Sequence, residues 1–182
     1  MKKMKKVPNC VPYDGFYPNI HKDAFISPSS LIIGCVKIEQ DANIWYGTVI
    51  RGDVNWISIG KKTNIQDLSM VHVETAEFPT FIGEGVTIGH RVVLHGCTIC
   101  DYSLIGMGAI VMNGAIVGPF SIIGAAALVT PGTRIPPYTL ATGLPAKIKR
   151  ELTEEEVEHL IYSAEHYVEL SILHKNIKVS EE

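Results

Sequence analysis

His72, His90 and His95 are the residues of this chain whose type and spacing can do chemistry. Three imidazole nitrogens directed at one point make a metal site that keeps a fourth position for water and needs no cysteine or carboxylate ligand. A divalent metal held that way lowers the pKa of its water toward ~7 and supplies hydroxide at neutral pH. The spacing is irregular. His90 and His95 stand five apart in TIGHRVVLHG, inside a chain that otherwise repeats every six. The elements that carry the three imidazoles decide whether they can converge.

Aliphatic residues recur at Ile20, Ile26, Ile32, Ile38, Ile44 and Ile50, each six after the last. The series resumes at Ile59, Ile65 and Val71, again at Ile82 and Ile88, and then runs from Ile99 through Ile105, Val111, Val117, Ile123, Val129 and Ile135. A glycine often follows the aliphatic, and a small residue tends to stand four after it. Period six suits neither an amphipathic helix nor a two-sided strand meander. It suits a solenoid of short flat strands in which three hexads close one triangular coil, the aliphatic points inward and the small residue fits the corner. Coils then stack backbone to backbone at ~4.8 Å, in roughly six or seven turns. The expected fold is an all-β solenoid, a left-handed parallel β-helix of hexapeptide repeats, with a C-terminal α-helix. The pattern divides the chain into an N-terminal segment (1–19), the β-helix (20–140), a proline-punctuated connector (141–150), the helix (151–176) and a tail (177–182). Thr153 and Glu156 make a capping box for the helix. Val157, Leu160, Ile161, Ala164, Tyr167, Val168 and Ser171 form its inner stripe.

The repeat breaks three times. Three extra residues fall between Ile50 and Ile59 and five between Val71 and Ile82, and one is missing between Ile88 and Ile99. Insertions in a solenoid loop out at corners, often on the functional face. With sides beginning at Ile82, Ile88 and Val93, the side from Val93 lies one coil above the side from Val71. His72 and His95 then share a face on adjacent coils, and His90 lies on the preceding face, beyond a corner. One prism cannot bring His90 to the same point, but a neighbouring prism can. A three-fold homotrimer with metal sites between subunits is the expected assembly.

Polar residues accompany the breaks. Arg51 and Asp53 alternate on one strand, and Asn64, Gln66 and Asp67 precede the first histidine. Facing outward toward a neighbour, Gln66 can hold the metal-bound hydroxide or the substrate, with Asn64 buttressing it. Arg51 with Asp53 or Asp67 can form an ion pair across the interface. Cys97 and Cys100 fall within the hexads and are expected to pack, and His21, His159, His166 and His174 are expected at the surface. With a net charge of −3, no basic patch for nucleic acid or an anionic membrane is present. The basic opening MKKMKK is followed by no apolar run, so neither a signal peptide nor a span is expected, and a cytoplasmic location is.

The segments RGDV…ISIGKKTNIQD…VHVE…IGEGVTIGH…LHGCTI…LIGMGAIV…GLPAK resemble the γ-class carbonic anhydrases. The resemblance implies a trimeric β-helix that binds Zn2+, or alternatively Fe2+ or Co2+, between subunits, with CO2 and bicarbonate as substrates. His72, His90 and His95 would be the ligands. Gln66 would position hydroxide and bicarbonate, Asn64 would orient Gln66, and Arg51, Asp53 and Asp67 would form the interface network. Tyr167 is the candidate for a helix tyrosine that reaches the site in some relatives. Val54 departs from the glutamate of the long-loop enzymes, and the short loop ETAEFPT offers only Glu74 and Glu77 as proton shuttles. The alternatives are a member of the family without hydratase activity, such as a metal-dependent thioesterase, or a hexapeptide acyltransferase.

Overall fold

The computed structural model describes residues 9–177; the MKKMKK opening and residues 178–182 of the tail lie outside the described residues. The chain winds into a left-handed parallel β-solenoid of about seven turns followed by one helix. Inward side chains line up in three columns because every coil pairs with the next in register. One column holds Ile32, Ile50, Val71, Leu94, Val111 and Val129. A second holds Ile20, Ile38, Ile59, Ile82, Ile99, Val117 and Ile135. The third holds Ile26, Ile44, Ile65, Ile88, Ile105, Ile123 and Ala141. All but Ile20 and Ile26, at the open end, are buried. A β-branched side chain at nearly every inward position, Leu94 and Ala141 excepted, fills the prism and suits the extended backbone.

Corners are sealed by small and hydroxyl residues. Ala109, Ala115 and Ala127 are buried there. Thr63 Oγ1, Ser69 Oγ and Ser103 Oγ donate to the carbonyls of Gly83, Gly89 and Gly118 at 2.7, 2.9 and 2.8 Å. Those carbonyls sit where the strand ladder stops and would otherwise lack a partner. At Gly106 a Cβ would stand 2.5 Å from Ala125 N and 2.7 Å from Gly124 C, so backbone of the next coil occupies the space of a side chain.

The register corrects the sequence pattern in one place. Leu94, not Val93, is the inward residue opposite Val71, and Val93 pairs with Met70. The hexad after Ile88 is complete, and the missing residue falls between Leu94 and Ile99, at the Gly96–Cys97 corner. The solenoid also starts before residue 20: Cys10–Val11 and Asn19–Ile20 both pair with Leu31–Ile38. Within 141–150 the chain turns back, and Lys147–Glu151 pairs antiparallel with Thr139–Thr142, closing the end of one sheet.

The helix spans Glu154–Lys175 and lies over the strands Phe25–Ile26, Asn43–Ile44, Asn64–Ile65 and Thr87–Ile88. Its buried residues are Leu160, Ser163, Ala164 and Ser171. Ile161 is exposed instead of lying on the inner stripe, because the helix turns its small residues Ser163 and Ala164 toward the sheet. No helix among the described residues is long and apolar enough to cross a membrane.

The capping box is complete: Glu156 N donates to Thr153 Oγ1 at 3.2 Å and Thr153 N to Glu156 Oε2 at 2.9 Å. Arg150 adds two hydrogen bonds to the same carboxylate, at 2.7 and 2.8 Å. Thr153→Ala is expected to lower stability by about 1 kcal/mol in urea unfolding. Arg150 first, then the Thr153 amide, depress the Glu156 carboxyl to about 2. A depressed folded-state pKa stabilises above the unfolded carboxylate range. That stabilisation is lost as pH falls from about 4.5 toward 2. Glu156→Gln should flatten that part of the acid unfolding curve.

Candidate metal centre

The breaks in the repeat stack at one corner of the prism. The first insertion bulges out as Asp53–Trp56, since Gly34 pairs with Gly52 but Val36 with Ile57. The second loops out between Met70–His72 and Thr80–Ile82, and the missing residue shortens the same corner one coil on. His72 and His95 end the strands on either side of that gap and pair directly in register.

Their rings lie 5.0 Å apart, with His72 Nδ1 and His95 Nε2 separated by 3.1 Å. Each outer nitrogen has an oxygen partner. His72 Nε2 donates to Asp53 Oδ1 at 3.0 Å, and His95 Nδ1 to Asn113 Oδ1 at 2.5 Å. The tautomers follow from this network. A carboxylate only accepts, so His72 carries its proton on Nε2. Asn113 Nδ2 donates to Glu74 Oε2 at 3.1 Å, which leaves Oδ1 as the acceptor and puts the His95 proton on Nδ1. Two bare nitrogens therefore face each other. Lone pairs at that separation repel unless a cation, a proton or a metal, stands between them. Ligand nitrogens of a tetrahedral zinc site with bonds of about 2.0–2.1 Å stand about 3.3 Å apart, and acceptors behind metal-bound imidazoles are the usual support. The donor set fits a metal ion.

Arg51 forms an ion pair with Asp53 Oδ2 within the same chain, and Val54 N donates to Oδ1 at 3.0 Å. Burial by itself would raise the Asp53 carboxyl, but hydrogen bonds from His72 and Arg51 reverse the effect and hold it below the ordinary range. Asp67 lies elsewhere, with His90. His90 Nδ1 is 2.8 Å from Asp67 Oδ2, at the opposite end of the Val93–His95 side from His95. His90 lies in the turn that precedes that side, with Arg91 at φ 57, so a corner of the prism separates it from His95. Among the described residues no three His, Cys, Asp or Glu side chains of one chain gather for a metal ion. His90 instead borders an open groove of about 520 Å³ shared with Asp67, Leu68, Arg91, Met107 and Gly108.

Asn64 and Gln66 face out of the prism but are buried, Asn64 under the protein's own helix. Gln66 Nε2 donates to Asn64 Oδ1 at 3.0 Å and Asn64 Nδ2 to Thr87 Oγ1 at 2.9 Å, and Thr87 Oγ1 meets Ser163 Oγ on the helix at 2.9 Å. Tyr167 packs edge-on to Trp45 with ring centroids 5.7 Å apart; burial first, and then the Asp67 charge, raises its phenol. Glu74 accepts from Thr75 N and Asn113, which hold its carboxyl below the ordinary range, away from the neutral pH a shuttle serves. Glu77 is exposed at the loop tip. Burial pushes the Cys97 thiol up to about 12, the behaviour of a packing residue. His174, expected at the surface, is half-buried against Trp45 at 4.8 Å with Nδ1 3.0 Å from Tyr46 Oη. Sequence reasoning also passed over Asn113, Thr87 and Ser163. Asn113 carried one legible signal, since its hexad lies one coil beyond His95.

The family model described as "Bacterial transferase hexapeptide (six repeats)" matches residues 79–113. A carbonic anhydrase of Geobacillus kaustophilus is 46% identical over 167 residues, covering 92% of this chain and 91% of that protein. Mitochondrial gamma carbonic anhydrase 2 of Arabidopsis thaliana is 44% identical over 162 residues, and there the chain spans only 58% of the relative's length. The crystal structure of a hexapeptide transferase family protein from Anaplasma phagocytophilum superimposes with a TM-score of 0.87 at 45% identity, covering 91% of this chain and 97% of that one. Hexapeptide coils, the break pattern and near-full-length similarity to the Geobacillus protein agree, and the chain belongs to the γ-class carbonic anhydrase family.

Proposed function

We propose that this protein is a metal-dependent carbonic anhydrase, interconverting CO2 and bicarbonate at sites between the subunits of a homotrimer. The observation that carries the reading is that His72 Nδ1 and His95 Nε2 face each other at 3.1 Å while the other nitrogen of each ring is backed by an acceptor. His90 of an adjacent subunit would complete the set, and its own Nδ1 is already held by Asp67. A divalent metal here, Zn2+ with Fe2+ or Co2+ as alternatives that imidazole equally suits, supplies a water acidified to near neutral pH and a Lewis acid for the bicarbonate oxygen.

The chain's own residues do the rest. Asp53 and Asn113 fix the ring orientations of His72 and His95. The Gln66 amide, pinned through Nε2 by Asn64, keeps Oε1 as an acceptor for the reacting water's proton. Arg51 neutralises Asp53 and leaves it fully committed to donors. Val54 carries no proton and Glu74 is held below the ordinary range, so the proton passes to solvent buffer.

The test is metal content per trimer on anaerobically purified protein, with stopped-flow CO2 hydration across a series of imidazole buffer concentrations. Metal near three per trimer and a rate that climbs with buffer are expected. Bound metal without hydration would transfer the site to another electrophile such as a thioester. No metal after reconstitution with zinc and iron would end the reading. The transferase name of a structural relative favours a second reading, hexapeptide acyl transfer. That chemistry needs one general base, not three convergent imidazoles, and saturable binding of coenzyme A would revive it.

A further inference from the structure

We propose that Asn113, held by Glu74, is a positioning residue that fixes His95 in the tautomer whose Nε2 lone pair faces His72. The consequence for metal binding rests on the carbonic anhydrase reading, but the tautomer itself does not.

The two histidines are supported unequally. Behind His72 stands a carboxylate, which can only accept. Behind His95 stands an amide, which can accept through Oδ1 or donate through Nδ2. An unconstrained amide would therefore leave the tautomer of His95 open. Glu74 removes the choice. Its Oε2 requires a donor, so Asn113 must turn Nδ2 toward it and Oδ1 toward His95. A flipped amide would set a carbonyl against the carboxylate.

Glu74 is in turn built into place. Its Oε1 accepts from Thr75 N at 3.1 Å, its carbonyl accepts from Asn55 Nδ2 at 3.1 Å, and its amide donates to Phe78 O at 3.0 Å. Phe78 lies across two glycines of the stacked corner. A Cβ at Gly96 would stand 2.8 Å from Phe78 Cβ, and one at Gly114 would stand 3.0 Å from its ring. The short loop is thus clamped over the corner with its carboxylate on Asn113. It makes a support for His95. Of the two carboxylates in this chain of contacts, one touches an imidazole directly and the other acts through a neutral amide. That limits the negative charge placed against the metal position.

The experiment reads tautomer and metal separately. In metal-free protein with 15N-labelled histidine, NMR is expected to find His95 protonated on Nδ1. Asn113→Ala should shift His95 toward the Nε2-protonated form and weaken zinc binding about 10–100-fold, measured by chelator competition. The double variant Asn113→Asp/Glu74→Gln keeps an acceptor toward His95 and a donor between the two side chains. It should retain the wild-type tautomer and zinc affinity. An unchanged tautomer in Asn113→Ala, or an equal loss in the double variant, would overturn the proposal and leave Asn113 a packing residue. If the wild type takes up no zinc while the tautomer still follows the substitutions, Asn113 keeps its role and the metal reading fails.

Discussion

Mixed assemblies of His72→Ala and His90→Ala chains are expected to recover zinc and CO2 hydration that neither variant retains alone. Each variant by itself lacks a ligand at every interface. In a cyclic trimer an interface is complete when a His90→Ala chain supplies His72 and His95 and its neighbour, a His72→Ala chain, supplies His90. Every mixed trimer, with two chains of one variant and one of the other, then holds one complete interface of three. The basis is the corner of the prism that stands between His90 and the side ending at His95, against the 3.1 Å between the facing nitrogens of His72 and His95. Coexpressed, separately tagged chains purified for both tags supply the sample, and metal analysis and stopped-flow hydration are the readouts. Mixed trimers as empty as either parent would show that the ligands are not divided between chains in this way. Full metal in His90→Ala alone would show that His90 is not a ligand.

Asp53→Ala is expected to produce the next largest loss, zinc affinity toward the upper end of about 10–100-fold. Three donors converge on this carboxylate: His72 Nε2, Arg51 and the Val54 amide. Its side chain is only 14% exposed, so truncation strips the acceptor that sets the His72 tautomer and takes away the ion-pair partner of Arg51. Asp53→Asn separates the two effects. An asparagine can still accept from His72 but no longer carries charge against Arg51, so it should keep more of the metal affinity than alanine does. Equal zinc affinity in wild type and Asp53→Ala, measured by chelator competition, would show that the carboxylate serves only the fold.

The sequence by itself determined the architecture, because the hexad pattern is an inward-facing rule repeated coil after coil. A β-branched residue at every sixth position has only one way to be buried on a flat short strand, and the steady phase makes register unambiguous through most of the chain. It also marked where the chain would bulge from the coil, since residues in excess of the repeat must leave the prism. The adjacency of His72 and His95 was legible for the same reason: counting coils is enough to pair them. The capping box at Thr153 was legible because it is local.

Tertiary structure alone decided what stands behind those side chains. Whether the missing residue falls before or after Leu94 depends on how the corner closes at Gly96 and Cys97, and counting could not choose between Val93 and Leu94. That Asn64 is covered by the protein's own helix depends on the helix docking on that face, with Ser163 and Ala164 inward and Ile161 outward. Asn113 lies eighteen residues from His95 and thirty-nine from Glu74 in the chain. Only stacking of coils and a loop clamped by Phe78 bring the three together. A repeat specifies which way each side chain points; hydrogen-bond partners at a corner are chosen by loops that have left the repeat, and those are set by three-dimensional packing.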